Sequence, residues 1–314
     1  MHRYRTLLFV ILCACGSSDP AGLGDGNPNG GAGGDAGAGG DGAPVGGDFG
    51  DGGSRGDSST TPPVCNHVLQ ATIRDFKPCR DPAIGEAGDC TIANAHVDFE
   101  HFMGPKQTKG IVQQFLGAAD AAGLRKPLYA GTGAHYYYDD PSHPTNGQQQ
   151  TTGPNEFAQW YQDVTNVNLK FTTDIPLTET PLGSGKYRFD SRAFFPIDGK
   201  GWQNHPTLSD GTTPHNFGFT TEMHLNFVYK GGEVFSFTGD DDLWVFIDHE
   251  LALDIGGVHP SVSDSVKLDD FAAKHPLTKG ATYAMDLFHA ERHTTESNFT
   301  VDTTIECLET SPIH

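Results

Sequence analysis

The sequence predicts a mainly β chain: an antiparallel sandwich or barrel, with a few short helices in an N-terminal extension. Three observations carry that prediction. From residue 187 onward, short runs of alternating apolar residues recur at even spacing, separated by Gly- and Asp-containing turns. Gly231-Gly232 stands between two of these runs as a hairpin signal. The roughly 250 residues after residue 64 suffice for one sizeable core without subdivision.

The first element is an export signal. Arg3 and Arg5 precede an apolar run, Leu7–Leu12, and then Cys13-Ala14-Cys15-Gly16; so short an apolar stretch cannot rest across a bilayer as a helix. Leu12-Cys13-Ala14-Cys15 resembles a bacterial lipobox, which implies cleavage before Cys15 and a lipid on its sulfur. The chain is therefore expected to be exported and lipid-anchored in the cell envelope, at the outer membrane or cell surface. A plain secretory signal cut elsewhere is the alternative, and it exports the chain equally. Residues 16–64 follow as a tether in which Gly and Asp dominate and apolar side chains are scarce. Such a stretch cannot offset the entropy of ordering. As a Gly-rich coil of about 47 residues it spans roughly 35–40 Å root-mean-square.

The folded domain is expected over 65–314, with its barrel core at about 185–307. Leu69–Phe76 reads as an opening strand, followed by a cysteine-bounded loop and the alternating stretch Ala95–Phe102. Two short helices are expected at Lys109–Leu116 and Asn155–Val164, the second carrying Phe157, Trp160 and Tyr161 on one face. Strands are then expected at 187–195, 217–230, 233–239, 243–248, 250–255, 281–289 and 298–306.

Charge and cysteine usage narrow the partners. The formal net charge is −20 with histidines neutral, so nucleic acid and anionic membrane surfaces are poor partners; membrane contact is expected through the lipid alone. Cys65, Cys79, Cys90 and Cys307 lie outside the signal region. An even number in an exported chain reads as disulfides, with three possible pairings. A local Cys79–Cys90 staple and a Cys65–Cys307 bond joining the domain's ends are favoured, because domain termini are often close. No Cys-X-X-Cys spacing points to zinc or redox chemistry.

The most informative segment is Phe235–Asp248, in which Gly239 introduces three adjacent carboxylates, Asp240, Asp241 and Asp242, between two alternating runs. Adjacent anions repel and are costly to bury unless something neutralises them. The triplet is either a solvated acidic turn or part of a site for a hard cation, of which Ca²⁺ is the usual extracellular occupant. Enzyme motifs are weaker. In His289-Ala-Glu-Arg-His293 the Glu comes one place too late for a zinc-protease helix. Carboxyl pairs such as Glu222 or Asp254 with Asp241 follow from acidic composition alone, and no nucleophile elbow or phosphate loop appears. Trp202 and Tyr136–Tyr138 are aromatics that could pack or stack on sugar rings.

Seven motifs occur in order: Ile73–Phe76, His96–Glu100, Phe194–Asp198, His215–Thr220, Gly239–Ile247, Leu253–His259 and Leu287–His293. Together they resemble the fibro-slime domain of secreted bacterial and slime-mould proteins, over about residues 67–307. The C-terminal half is similar to the β-barrel of anthrax protective antigen and of yeast flocculins and epithelial adhesins. The resemblance implies that two consecutive aspartates joined by a cis peptide hold Ca²⁺, which also contacts sugar hydroxyls. Carried onto this chain, Asp240 and Asp241 are the principal ligands, with Glu291 and Asn298 completing the shell from a second loop, 289–298. Asp242 stands where many relatives have Gly, and it joins His259, His289, Arg292 and His293 as expected ligand contacts. The expectation is a surface-anchored, calcium-dependent carbohydrate-binding module, lectin- or adhesin-like and non-catalytic, whose partner is a carbohydrate or extracellular polysaccharide. The rivals are a glycan-degrading enzyme and a structural matrix component whose calcium only rigidifies the barrel.

Overall fold

A computed structural model describes residues 65, 67–79, 93–101, 108–130, 136–137, 150–202, 204 and 209–311. The chain divides into Met1–Ser59 and Thr60–His314, and every described residue belongs to the second unit. Cys15, the tether and Cys90 lie outside the described residues.

Strand β1 (Val68–Phe76) opens the domain; β2 (Thr108–Lys109) and β3 (Tyr136–Tyr137) form a small ribbon. A single helical turn, α1 (Pro154–Phe157), precedes β4 (Asn168–Pro176), β5 (Thr178–Glu179) and β6 (Tyr187–Ser191). Then come β7 (Phe219–Val228), β8 (Val234–Gly239), β9 (Asp242–Ile247), β10 (Glu250–Ile255) and β11 (Val262–Lys267). Helix α2 (Leu268–Ala272), β12 (Thr282–Glu291), β13 (Phe299–Thr303) and β14 (Glu309–Thr310) complete the chain.

These strands make a mainly β, antiparallel sandwich. One sheet has seven strands in the order β10-β9-β12-β7-β1-β4, with β14 also paired to β7; the other has five, β11-β8-β13-β6-β5. Alternation sends Ile73, Met223, Leu225, Val245 and Leu287 inward, against Phe235, Phe237, Phe299 and Val301 of the facing sheet. The opposite face of the larger sheet is also covered in part. Trp244, Phe246, Phe288 and Ala290 project from it into a second core with Phe99, Ile111, Phe157 and Trp160 of the N-terminal extension. Burial on both faces explains why all six residues of β9 are buried.

Several local expectations change in the folded context. Lys109–Leu116 is not a helix: it runs extended, with Gln113 N donating to Leu128 O and Leu116 N to His249 O. Its apolar residues cover the sheet, and its backbone bonds neighbouring segments instead of itself. The second expected helix shortens to α1, yet Phe157, Trp160 and Tyr161 are buried as their common face suggested. Residues 95–101 form turns that bury Phe99. Gly231-Gly232, both at positive φ, does not close a hairpin, because β7 and β8 belong to different sheets. Strand β4 carried little apolar signal because it lies at a sheet edge and alternates half-buried with exposed residues.

Cys65 and Cys307 are disulfide-bonded across 242 residues of sequence. Cys79 is also disulfide-bonded; its expected partner, Cys90, falls outside the described residues.

Candidate metal and ligand site

The acidic triplet is where the chain passes from one sheet to the other. Strand β8 ends in the five-stranded sheet at Gly239, and β9 begins in the seven-stranded sheet at Asp242. Two more crossings meet it. Residues 256–261 carry the chain from β10 to β11, and 292–298 carry it from β12 to β13. Register fixes the convergence, because Gly239 pairs with Val262 and Phe299, while Asp242 pairs with Ala290. The three connections therefore crowd one end of the sandwich. A Cβ on Gly239 would lie 2.3 Å from the Asn298 carbonyl oxygen, so the close approach of the third crossing requires glycine there.

The carboxylates are held individually. Asp240 accepts from Asn298 N at 2.5 Å and from Asn298 Nδ2 at 3.0 Å. Asp241 accepts from His259 N at 3.3 Å and from Arg292 N at 2.9 Å. Asp242 accepts from Gly257 N at 2.6 Å and from Arg292 Nε at 2.5 Å. The Asp240–Asp241 peptide is cis. Arg292 also donates to the carbonyls of Asp98 (3.3 Å) and Gln150 (2.9 Å), and its guanidinium lies over the Trp160 ring.

One cation is thus tied to Asp242, and the other acids lack such a partner. Glu291 has 0% exposure and neither carboxyl oxygen has a hydrogen-bond partner; the nearby Ser297 hydroxyl donates instead to the Phe194 carbonyl. Burial, reinforced by Asp241 and Asp240, pushes Glu291 well above the ordinary carboxyl range. Burial also pushes Asp241 well up, with Asp240 and Asp242 adding to it and Arg292 opposing. Asp240 is raised for the same first reason. A cavity of about 230 Å³ opens on Asp240 and Asp241 but not on Glu291, and is lined also by His259, Pro260 and His293 together with Thr294, Thr295 and Glu296. A second, of about 510 Å³, shares Thr295 and Glu296 and continues past Asn298 to Phe195 and Arg192.

The structure thus brings Asp240, Asp241, Glu291 and Asn298 together and sets His259 and His293 on the cavity wall. Three expected contacts are corrected. Asp242, His289 and Arg292 each have 0% exposure and cannot touch a ligand at the rim. Asp242 and Arg292 neutralise one another beneath the turn. His289 points between the sheets among Phe194, Phe219, Phe237 and Phe299, where Nε2 meets the Asp240 carbonyl oxygen at 3.0 Å. Its burial depresses the imidazole to about 4. The alternation of β12 accounts for both placements, since 289 and 291 face inward while 290 and 292 face the extension. Trp202 packs under the Lys77 ammonium, and its backbone N–H donates to Asp75.

Sequence reasoning missed the contribution of the extension. Gln150 accepts from Val258 N through Oε1 and from Arg292 through its carbonyl, while Asp98 binds Trp160 Nε1 and Thr152 N. These residues steady the crossings from behind, and no local pattern marks a lone Gln in a loop for that role. Among the described residues, no three His, Cys, Asp or Glu side chains form a ready metal cage. Any cation here would need amide and carbonyl oxygens besides the carboxylates.

Comparison with known proteins adds a relationship to this geometry. Residues 203–309 match the PA14 domain. The PA14 region contains all three crossings. Over a longer stretch the chain is similar to Protein psiC of Dictyostelium discoideum, 35% identical over 246 residues, which are 77% of this chain and 42% of that protein. It is also similar to Protein psiJ of the same organism, 33% identical over 249 residues, covering 76% of this chain and 31% of psiJ. The chain therefore spans less than half the length of these relatives. A solved β-glucosidase from Kluyveromyces marxianus in complex with glucose aligns with 30% of this chain and 10% of its own, at 13% identity and TM-score 0.20. That likeness carries no weight for fold or function.

Proposed function

We propose that this chain is a surface-anchored, calcium-dependent carbohydrate-binding module, lectin- or adhesin-like and without catalytic activity. The observation that carries the reading is the uncompensated cluster at the crossings: Asp240, Asp241 and Glu291 are buried together, and the buried arginine beside them, Arg292, is committed to Asp242. Carboxyls in that state must either take up protons or share a cation. The donors fit a hard cation, since the oxygens of Asp240 and Asp241 keep lone pairs free beyond their single hydrogen bonds and both residues line an open cavity. Asp240, Asp241, Glu291 and the Asn298 amide oxygen would hold Ca²⁺. When bound, the ion supplies a positive centre to which sugar hydroxyls can coordinate.

The chain's own residues do the rest. His259 and His293 flank the cavity, and Asn298 orients Asp240. The Asp241 and Asp242 carboxylates are fixed by backbone N–H groups and by Arg292, which suits holding and not proton transfer. The lipid on Cys15 and the 16–64 tether would present this domain away from the envelope. The PA14 match over the three crossings supports the reading.

The test is calorimetric calcium titration of the chain with disulfides intact, wild type and Asp241→Ala, followed by a glycan array in calcium and in EDTA. One wild-type calcium site, absent from the variant, and glycan retention only in calcium are expected. A wild type that binds no calcium sinks the proposal. Calcium binding with no glycan retained would favour the structural matrix reading instead.

A further inference from the structure

The seven-stranded sheet ends differently on its two sides. At one end the extension caps β10: Leu251 N donates to Gln114 O at 2.8 Å, and Phe115 bridges to Glu250. At the other end β4 pairs with β1 along all nine of its residues, and among the described residues no strand lies beyond it. Nor does any backbone hydrogen bond outside that ladder reach Leu169–Pro176 from the described residues. A long open edge is a template for another strand, and proteins normally shorten, cover or charge it.

The side chains of β4 select the strand that fits. Lys170, Thr172 and Asp174 are exposed on the outer face, while Leu169, Phe171 and Thr173 are half-buried on the core side and Ile175 is buried. Lys170 reaches Asp163 at 2.9 Å, with about half of each side chain still exposed. Lys170 and Asp174 stand symmetrically about Thr172. Antiparallel pairing of two copies with Thr172 opposite Thr172 sets Lys170 against Asp174 of the second copy, and Asp174 against its Lys170. The same register sets Phe171 against Thr173 and Leu169 against Ile175 on the core side. Centring on 170 or 174 instead opposes lysine with lysine or aspartate with aspartate. Centring on 171 or 173 leaves neither charge facing its opposite. Opposite charges across a strand pair stabilise and like charges destabilise, so one register stands out. A lone lysine on an edge discourages pairing; this symmetric pair discourages every register but one.

We propose that β4 is the docking edge for a second copy of this chain, giving a two-fold dimer with one sheet continuous across Thr172. A two-fold interface needs a patch complementary to itself, and the row Lys170, Thr172, Asp174 is one. Main-chain hydrogen bonds supply the affinity and the charge pairs fix the register. The pairing uses no residue of the crossings and is independent of the calcium reading.

The experiment is sedimentation velocity over a concentration series, on the full chain with disulfides intact and in excess EDTA. A concentration-dependent dimer is expected. Lys170→Glu and Asp174→Lys should each weaken it by about tenfold or more, because each turns two attractive pairs into repulsive ones. Asp174→Lys should do so with an unchanged melting temperature, since that side chain is exposed. The double exchange Lys170→Glu with Asp174→Lys should recover the dimer. Thr172→Cys, on the two-fold axis, should form a disulfide between copies under mild oxidation, because directly opposed residues lie within disulfide reach. The proposal is overturned if the chain stays monomeric at the highest concentration, if neither single exchange shifts the dimer, or if the double exchange fails to recover it. A dimer in which Thr172→Cys forms no bond between copies equally rules out this register.

Discussion

Arg292 joins three parts of the molecule with one side chain: the acidic turn through Asp242, the extension through two carbonyls, and the second core through Trp160. Removing it would leave a buried carboxylate without its partner. Arg292→Met is expected to cost about 3–5 kcal/mol, and adding Asp242→Ala should restore a large part of it, measured by urea unfolding. Equal stability of Arg292→Met and wild type would contradict the placement of the pair. Gly239 gives a second prediction at this scale. A methyl there would strike the Asn298 carbonyl and the Phe237 ring, so Gly239→Ala should destabilise by about 1–3 kcal/mol and, under the proposed function, weaken calcium binding by displacing Asn298. The carboxylate doublet was legible in the sequence because three adjacent aspartates after a glycine are a local signal. The roles of Asp242, His289 and Arg292 were not, because a side chain's face depends on which strand residues lie between the sheets.

At the scale of the element, β7 and β12 are joined by more than their ladder. His224 of β7 lies between Glu222 and Asp286 of β12, with Arg74 and Lys126 also on Glu222 and His249 3.7 Å from Asp286. Burial alone would lower the His224 imidazole, but its bonds to Asp286 and Glu222 outweigh that and raise it. Burial would likewise raise Glu222, yet the His224 bond, Arg74 and Lys126 bring it down to about 2. A raised imidazole contributes stability that is complete below its ordinary 6.5 and is lost as pH rises through the folded value. A depressed carboxyl contributes stability above its ordinary 4.5 that is lost as pH falls toward about 2. The network should therefore stabilise most between those two ordinary values. Melting curves across pH should show a decline on the alkaline side in wild type that is missing from His224→Gln; parallel profiles would refute the arrangement. Most long strands were readable from their period of two. The expected helix at 109–116 failed because its apolar residues serve a sheet-covering segment, whose hydrogen bonds go to distant partners.

At the scale of the whole molecule, the Cys65–Cys307 bond ties the start of β1 to the approach to β14. Closing so long a loop restricts the unfolded chain strongly, and Cys65→Ala with Cys307→Ala is expected to lower stability by about 2–5 kcal/mol, read by denaturant titration. No change would mean that the ends are held by other contacts. The sequence by itself determined the fold class and the acidic doublet and favoured the pairing of the domain's ends, since strand period, turn chemistry and cysteine number are properties of neighbours or of composition. The core also takes Leu69, Ala71, Ile73 and Ile175 from strands ahead of residue 185. Only the tertiary structure decided that β7 and β8 part into different sheets and that three crossings meet at one end. It alone showed that Arg292 is spent on Asp242 while Glu291 goes unpartnered. Those outcomes depend on how distant strands choose partners, and the burial that sets the charge state of each carboxyl follows from that choice.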